Sequence, residues 1–472
     1  MLRFILNDKL VETELPSGST VLDFIRYHKR LAGTKIGCRE GDCGACTILV
    51  GEMNKDKLVY RSMTSCLMPL GNAAGKHIVS VEGINMPAKG LSPVQQAMVD
   101  ENGTQCGFCT IGFVMSLTGF VLGEEDKTYE DAIAAIDGNI CRCTGYKSIE
   151  RAAALLSKQM NDKPVNNQMQ WLVQHNYVPT YFENIKARLK ELQPGVNIGS
   201  NGQPGMIVGG GTDLIVQKHL AVKRSAIDHV FDNASLKAIH FENGQFHIGA
   251  SVTVTDFASS SLIQASFPGL KNYMKLISST PIRNMATLAG NLVNASPIGD
   301  MSVFLLALDA SIVLSNGTVK REIKLKDLYK GYKQLDKAPD EFIETIIFNV
   351  PAKNSHFNFE KVSKRTHLDI ASVNSACLLA LEDDGSVSDI HLSAGGVAPY
   401  PKYLAATISF LKGKKINAEV LKEAINTINT EVAPISDARG AAAYKQLLLR
   451  QLFLAHFIKC SGAVPVKQLL SV

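Results

Sequence analysis

No stretch of this chain approaches the ~18 consecutive apolar residues that a membrane-spanning helix needs, so a membrane span is not expected. There is no H-E-x-x-H metal signature, no G-x-S-x-G elbow and no Cys–His pattern for nucleophilic catalysis, so the chain offers no motif for hydrolytic chemistry. Excess charge of one sign is small: 49 Lys and Arg against 44 Asp and Glu leave +5 on 472 residues, which gives no support to a protein that coats nucleic acid. The opening Met1-Leu-Arg-Phe-Ile-Leu-Asn-Asp-Lys-Leu10 has too short an apolar run for a secretory signal, and a cytoplasmic location is the expectation. Internal repeats and low-complexity tracts are also missing.

What is present is apolar mass and clustered sulfur. At 46% hydrophobic and 20% charged residues the chain can bury large cores, and its length suggests about three domains. Eight of the ten cysteines lie between 38 and 143. Clustered thiols in a reducing compartment point to metal or redox chemistry rather than disulfides. The other two, Cys377 in a strand-like run and Cys460 at a helix end, read as buried thiols.

Residues 2–15 read as a hairpin about Asn7-Asp8, with a helix starting near Val21 after the Thr20 cap and strands at 47–50, 58–60 and 77–81. From 90 the texture turns helical: a capping Ser92-Pro93-Val94-Gln95, then Thr110–Leu122, Tyr129–Ile136 and Ile149–Leu156. The polar stretch 157–169 reads as a linker. Strands and helices mix over 175–350. Runs 372–381 and 386–393 flank Asp383-Asp384-Gly385 as a hairpin, and helical patterns dominate 402–460.

Cys38-Arg-Glu-Gly-Asp-Cys43-Gly-Ala-Cys46 is a C-x4-C-x2-C run, with Cys66 following after nineteen intervening residues. That is the plant-type ferredoxin spacing for a 2Fe–2S cluster. One loop must curl around the cluster with its N–H groups aimed at sulfur, and Gly37, Gly41 and Gly44 supply the backbone freedom. Zinc favours paired C-x2-C spacings, which this run does not follow. Gln105-Cys106-Gly-Phe-Cys109 and Cys141-Arg-Cys143-Thr-Gly-Tyr146 place two further thiol pairs at helix starts, where the helix dipole favours thiolate. Taken alone, this second set leaves zinc open beside iron–sulfur.

Together these motifs resemble those of the molybdenum hydroxylases, most closely the iron–sulfur and flavin subunit of the xanthine dehydrogenase type. One departure is Ile111, where that family usually has Pro. The resemblance implies that Cys38, Cys43, Cys46 and Cys66 hold one 2Fe–2S cluster and Cys106, Cys109, Cys141 and Cys143 a second. It also implies that Gln105 and Cys143 face a molybdopterin carried by a large partner subunit.

In Val208-Gly209-Gly210-Gly211-Thr212-Asp213-Leu214 the leucine breaks the dinucleotide fingerprint G-x-G-x-x-G. What remains is a strand entering a glycine nest, suited to a pyrophosphate or equally to a plain tight turn. Thr287-Leu288-Ala289-Gly290-Asn291, followed by Ser296–Asp300, has small side chains that admit a flat ligand or form a buried turn. The pair in this order resembles the FAD domain of the same family. On that likeness Ile207, Val208, Gly209, Gly210, Gly211, Thr212, Asp213 and Leu214 cradle the pyrophosphate. Thr287, Leu288, Ala289, Gly290 and Asn291 line the flavin near Asp300, with Ile277, Ile343 and Lys361 as further contacts and Tyr332 on the nicotinamide side.

The expected architecture is a multidomain α+β chain: a β-grasp ferredoxin-like domain (1–83), a four-helix 2Fe–2S domain (84–160), a vanillyl-alcohol-oxidase-type α+β FAD domain (170–352) and a small α+β C-terminal domain (355–465). The implied role is electron relay from the partner's molybdopterin through two 2Fe–2S clusters and FAD to NAD+, in a dimer of heterodimers without nucleic acid or membrane. The same relay could serve an aldehyde, carbon monoxide or N-heterocycle dehydrogenase; a zinc-stabilised interaction module is the reading from another class. Colour separates them: the relay predicts a brown-red protein with flavin absorbance and two reduced-state EPR signals, whereas a colourless, EPR-silent protein containing zinc would overturn it.

Overall fold

The alternating N-terminal segment forms the expected hairpin, Leu2–Leu6 antiparallel to Lys9–Thr13, with Asn7 at φ 53° in the turn. It edges a five-stranded sheet in the order Lys9–Thr13, Leu2–Leu6, His77–Val79, Thr47–Asn54, Lys57–Thr64. All pairs are antiparallel except Leu2–Leu6 with His77–Val79. The helix expected after Thr20 is present, capped by the Thr20 hydroxyl; it runs through Val21–Asp23 and the wider Phe24–His28 turns. Val21, Leu22, Phe24 and Ile25 bury against Phe4 and Ile48, giving the β-grasp arrangement of a sheet wrapped on one helix.

The computed structural model describes residues 1–123, 127–192 and 205–461; the last residues of the expected C-terminal domain, 462–465, lie outside them. The chain divides into two compact units. One joins Met1–Phe231 to Ser279–Ala286; the other joins Asp232–Ser278 to the chain from Thr287 onward. The segment 170–352 is therefore shared between the two units.

In the first unit the four helices are Pro93–Asp100, Thr110–Leu122, Tyr129–Ala135 and Lys147–Gln159. Ser92 and Gln95 complete both bonds of a capping box. Thr110–Leu122 is apolar on every side and almost wholly buried, as a central helix must be, and it packs on Thr47–Asn54. The polar run 157–169 is less of a linker than its composition suggests. The helix continues through Gln159, a turn follows at Met160–Asp162, and the next helix starts at Gln168. Met160, Leu172, Val173, Tyr177 and Phe182 all bury in the helical core, and Lys163 Nζ donates to the carbonyls of Val121 and Gly123. Those apolar anchors override the polar residues between them. Beyond, Met206–Val208 and Ile227–His229 are parallel strands joined by helix Leu214–Arg224.

The second unit holds an antiparallel sheet, Lys320–Lys324, Ser311–Ser315, Phe342–Asn349, Gln245–Gly249, Ile239–Glu242, and a four-stranded sheet, Ser355–Val362, Val373–Leu381, Val387–Gly395, Lys402–Tyr403. The expected hairpin turns at Asp383–Gly385, with Gly385 at φ 82°. Helices Ala405–Leu411, Ala418–Glu431 and Ala442–Cys460 follow, and Cys377 and Cys460 are buried in one core.

Each unit encloses a neutral histidine. The His77 Nε2–H donates to the Asn7 carbonyl (2.9 Å), so Nδ1 accepts from the Tyr60 hydroxyl (2.7 Å). Asn358 donates to His456 Nδ1 (2.8 Å), leaving Nε2–H for Ser375 (3.0 Å). Burial pushes His77 down to about 3 and His456 down to about 4. Because the folded values lie below the unfolded one, the unfolded chain gains protons first as pH falls through about 6.5, and stability drops. Between pH 7 and 5 each histidine should cost roughly 2 kcal/mol. Urea unfolding at the two pH values, with NMR titration of the imidazole protons, checks this; a resonance shifting near pH 6.5 in the folded chain would contradict it.

Candidate metal and flavin sites

Between the first helix and Thr47–Asn54 the chain makes an irregular loop whose shape is set by three glycines. Gly41 and Gly44 have φ of 80° and 66°, and a Cβ on Gly37 would lie 2.6 Å from the Cys43 sulfur. The loop turns its amides inward. The Glu40 N–H donates to Cys38 Sγ (3.3 Å). The N–H groups of Asp42 and Cys43 also reach Cys38, that of Ala45 reaches Cys43, and that of Gly41 reaches Cys66. Cys66 is brought in by Ser65, whose hydroxyl donates to the Cys46 carbonyl (2.7 Å).

All four thiols interact, in two pairs. Cys38 is hydrogen-bonded to Cys43 and Cys46 to Cys66, while Cys38 is close enough to Cys46 and Cys66 to act on them electrostatically. The bond from Cys43 draws Cys38 down to about 5, and the bond from Cys66 lowers Cys46; the donating partners Cys43 and Cys66 are pushed up. Cys46 and Cys66 are buried, and Cys38 and Cys43 half-buried.

The second set follows the same scheme. Cys106 pairs with Cys143 and Cys109 with Cys141. Cys109 precedes helix Thr110–Leu122, and Tyr146, in the left-handed conformation, precedes Lys147–Gln159, so both loops sit at helix N-termini as expected. The Phe108 N–H, and then Cys143, lower Cys106; burial and Cys141 push Cys109 up to about 12. Burial raises Cys141 most, yet the Thr144 hydroxyl (3.2 Å) and neighbouring amides bring it below its ordinary value. Cys141 is buried, whereas Gln105, Cys106 and Cys143 are exposed.

This donor set suits a two-iron unit. A single zinc gathers its four ligands around one point, whereas the thiols of each set are drawn together two by two. Two thiolates per iron, with amides aimed at sulfur, is the demand of a 2Fe–2S cluster.

The two loops are locked together by residues that the sequence reading passed over. Ile140 N–H donates to the Cys43 carbonyl (3.1 Å), and Asn139 Nδ2 donates to the Gly44 carbonyl (3.1 Å) while accepting from Ser116 (2.7 Å). A Cβ on Gly112 would lie 2.2 Å from that Gly44 oxygen. One hydrogen bond thus separates the backbone of Cys43 from the residue preceding Cys141. Their one signal in the sequence is adjacency to a thiol pair.

The glycine loop is built against the first thiol set. Strand Met206–Val208 enters it, with Ile207 paired to Asp228 and Val208 buried. Asn72 Nδ2 donates to the Gly209 carbonyl (2.9 Å). A Cβ on Gly210 would meet the Met285 carbonyl at 1.8 Å, and one on Gly211, at φ 82°, would meet the carbonyl of Leu67, the residue that follows Cys66, and Pro69 at 2.9 Å each. Thr212 and Asp213 follow, and Leu214 begins the helix with Ile215 N–H bonded to the Gly211 carbonyl (2.9 Å).

In the second unit Thr287 caps helix Leu288–Asn294 by accepting from Gly290 N–H (3.1 Å), and Leu288 and Ala289 are buried. Asn291 Oδ1 accepts from Ser302. Asp300 accepts from Lys361 (2.8 Å) and Asn374 (2.6 Å), and Lys361 also donates to the Leu276 carbonyl (2.7 Å). Ile277 and Ile343 are buried. The Lys361 ammonium is thus held by protein groups, the Asp300 carboxylate and the Leu276 carbonyl. Tyr332 is exposed at the tip of a two-stranded hairpin, which Lys333 pins to Asn294.

These features define an iron–sulfur flavoprotein class, and comparison with known proteins agrees. Residues 4–70 match the family described as 2Fe-2S iron-sulfur cluster binding domain, 80–154 the [2Fe-2S] binding domain, 186–352 the FAD binding domain in molybdopterin dehydrogenase, and 359–460 the CO dehydrogenase flavoprotein C-terminal domain. Xanthine dehydrogenase of Emericella nidulans is 30% identical over 480 residues, covering 88% of this chain and 35% of the relative. The enzyme of Oryza sativa subsp. japonica is 27% identical, covering 97% of this chain and 39% of the relative. The chain thus spans well under half the length of these relatives. Among solved structures, reconstituted CO dehydrogenase from Oligotropha carboxidovorans superposes with a TM-score of 0.52 at 24% identity, over 55% of this chain and 92% of that one, showing a shared fold. The chain carries two 2Fe–2S domains, an FAD-binding domain and a flavoprotein C-terminal domain, and it is homologous to the N-terminal iron–sulfur and flavin region of xanthine dehydrogenases. No helix among the described residues is long and apolar enough to cross a membrane.

Two glycine substitutions should separate the sites. Gly37→Ala crowds the Cys43 sulfur and should remove about half of the bound iron and sulfide while FAD stays. Gly210→Ala collides with backbone and should release FAD while iron stays. Iron, sulfide and flavin analysis of each purified variant checks both; loss of all cofactors from either would refute the separation.

Proposed function

We propose that the chain is the electron-relay subunit of a xanthine-dehydrogenase-type enzyme, taking electrons from a large molybdopterin-binding subunit that hydroxylates a purine and passing them to NAD+. In this reading Cys38, Cys43, Cys46 and Cys66 are the ligands of one cluster, and Cys106, Cys109, Cys141 and Cys143 those of the other. Bound there, the clusters would carry single electrons and FAD would collect them in pairs for hydride delivery to NAD+. The observation that carries the reading is the Ile140 N–H bond to the Cys43 carbonyl, which gives two thiol sets a short bonded route.

The chain's own residues fix spacing and charge. Amides around each sulfur set stabilise thiolate. Exposed Gln105 and Cys143 offer the second set to a pterin-bearing partner, and the close fit of Gly211 to Leu67 and Pro69 holds the pyrophosphate loop beside the first. Ile207 to Leu214 would hold the pyrophosphate, Thr287 to Asn291 and Asp300 the flavin ring, and Ile277, Ile343 and Lys361 its surroundings. Tyr332 is the residue we place on the nicotinamide side. Substrate choice rests with the partner, so an aldehyde, carbon monoxide or N-heterocycle enzyme would use the same relay.

The purified chain should bleach its flavin with NADH but not with xanthine; adding the large subunit should confer xanthine-dependent NAD+ reduction. Cys109→Ser should abolish the latter and leave NADH bleaching intact. Xanthine turnover by the chain alone, or an inert flavin with NADH, would overturn the assignment.

A further inference from the structure

Beside the first thiol set lies an open cavity of about 530 Å³, lined on one side by Tyr27, His28, Cys38 and Arg39 and on the other by His219 and Lys223 of helix Leu214–Arg224. Cys66 also reaches it. The cavity is therefore a mouth through which a half-buried ligand sulfur meets solvent.

Its two walls share a charge pattern. Residues 24–35 contain Arg26, Lys29, Arg30 and Lys35 and no acidic residue; residues 214–227 contain Lys218, Lys223 and Arg224 and again none. Most of these cations are exposed. The acids at the mouth are Asp23, which is paired with Arg39 (2.7 Å), and Glu40. Overall the chain is nearly balanced, so two acid-free basic segments meeting at a redox ligand form a local field, of the kind that steers an oppositely charged protein.

We propose that this face docks an acidic one-electron carrier protein at Cys38, giving the first cluster a second exchange route that does not use NAD+. The proposal rests on the reading of Cys38, Cys43, Cys46 and Cys66 as cluster ligands. One electron moves between the carrier's centre and the cluster, one being oxidised as the other is reduced, with no bond made or broken.

The test uses the full chain and an acidic plant-type ferredoxin as probe, with basic cytochrome c as control. Calorimetry should show the ferredoxin binding and weakening about tenfold as salt rises from about 20 to 200 mM, while cytochrome c does not bind. The triple variant K218E/K223E/R224E should lose about tenfold in affinity with unchanged iron and flavin content, and removal of FAD should leave binding and cluster reduction by the ferredoxin intact. Salt-insensitive binding, an unaffected variant, or cluster reduction that disappears with FAD would overturn the docking face. Absence of the cluster's reduced-state EPR signal would instead overturn the ligand reading on which it rests.

Discussion

Thiol sulfurs drawn together in pairs concentrate negative charge on one member of each pair, and the loops of the N-terminal unit are organised around stabilising that charge. The first loop does so with backbone amides on Cys38, Cys43 and Cys66, the second with amides, the Thr144 hydroxyl and two helix N-termini. Amides can crowd around sulfur only where side chains are absent, which is why Gly37 tolerates no Cβ and Gly41 and Gly44 adopt left-handed angles. The glycines and the cysteines are one device.

The same economy of side chains joins the sites. Gly44 sits where Asn139 and Gly112 close on it, and Gly211 sits against Leu67 and Pro69. Backbone-to-backbone contact, as between Ile140 and Cys43, brings the two thiol-bearing loops together and makes their spacing insensitive to side-chain rotamers. It also makes these positions intolerant of any added atom. Function here is carried by rigidity of the chain path more than by reactive groups.

Much of this was legible in the sequence. The C-x4-C-x2-C spacing, the helix-start positions of Cys109 and Cys143 and the glycine nest are covalent patterns that need no tertiary information. Asn139, Ile140 and Asn72 were not legible, because each acts through a partner far away in the chain, and nothing local marks an asparagine that will meet a distant carbonyl. The polar run 157–169 misleads for the opposite reason: its Met160 and Met169 reach a core that the run itself does not reveal. Lys361 was placed near the flavin by likeness, and only the fold shows Asp300 and the Leu276 carbonyl gripping its ammonium.

The short stretch Ser279–Ala286 belongs with the thiol-bearing unit, though both its flanks belong to the other. Arg283 and Thr280 bind Asp137 there, and Arg283 and Asp137 are nearly sealed from water. The polypeptide therefore passes between the units three times. No single peptide-bond cleavage can detach one from the other, and neither could be expressed as an uninterrupted stretch of the gene. Inheritance of one unit is tied, by chain topology alone, to that of the other.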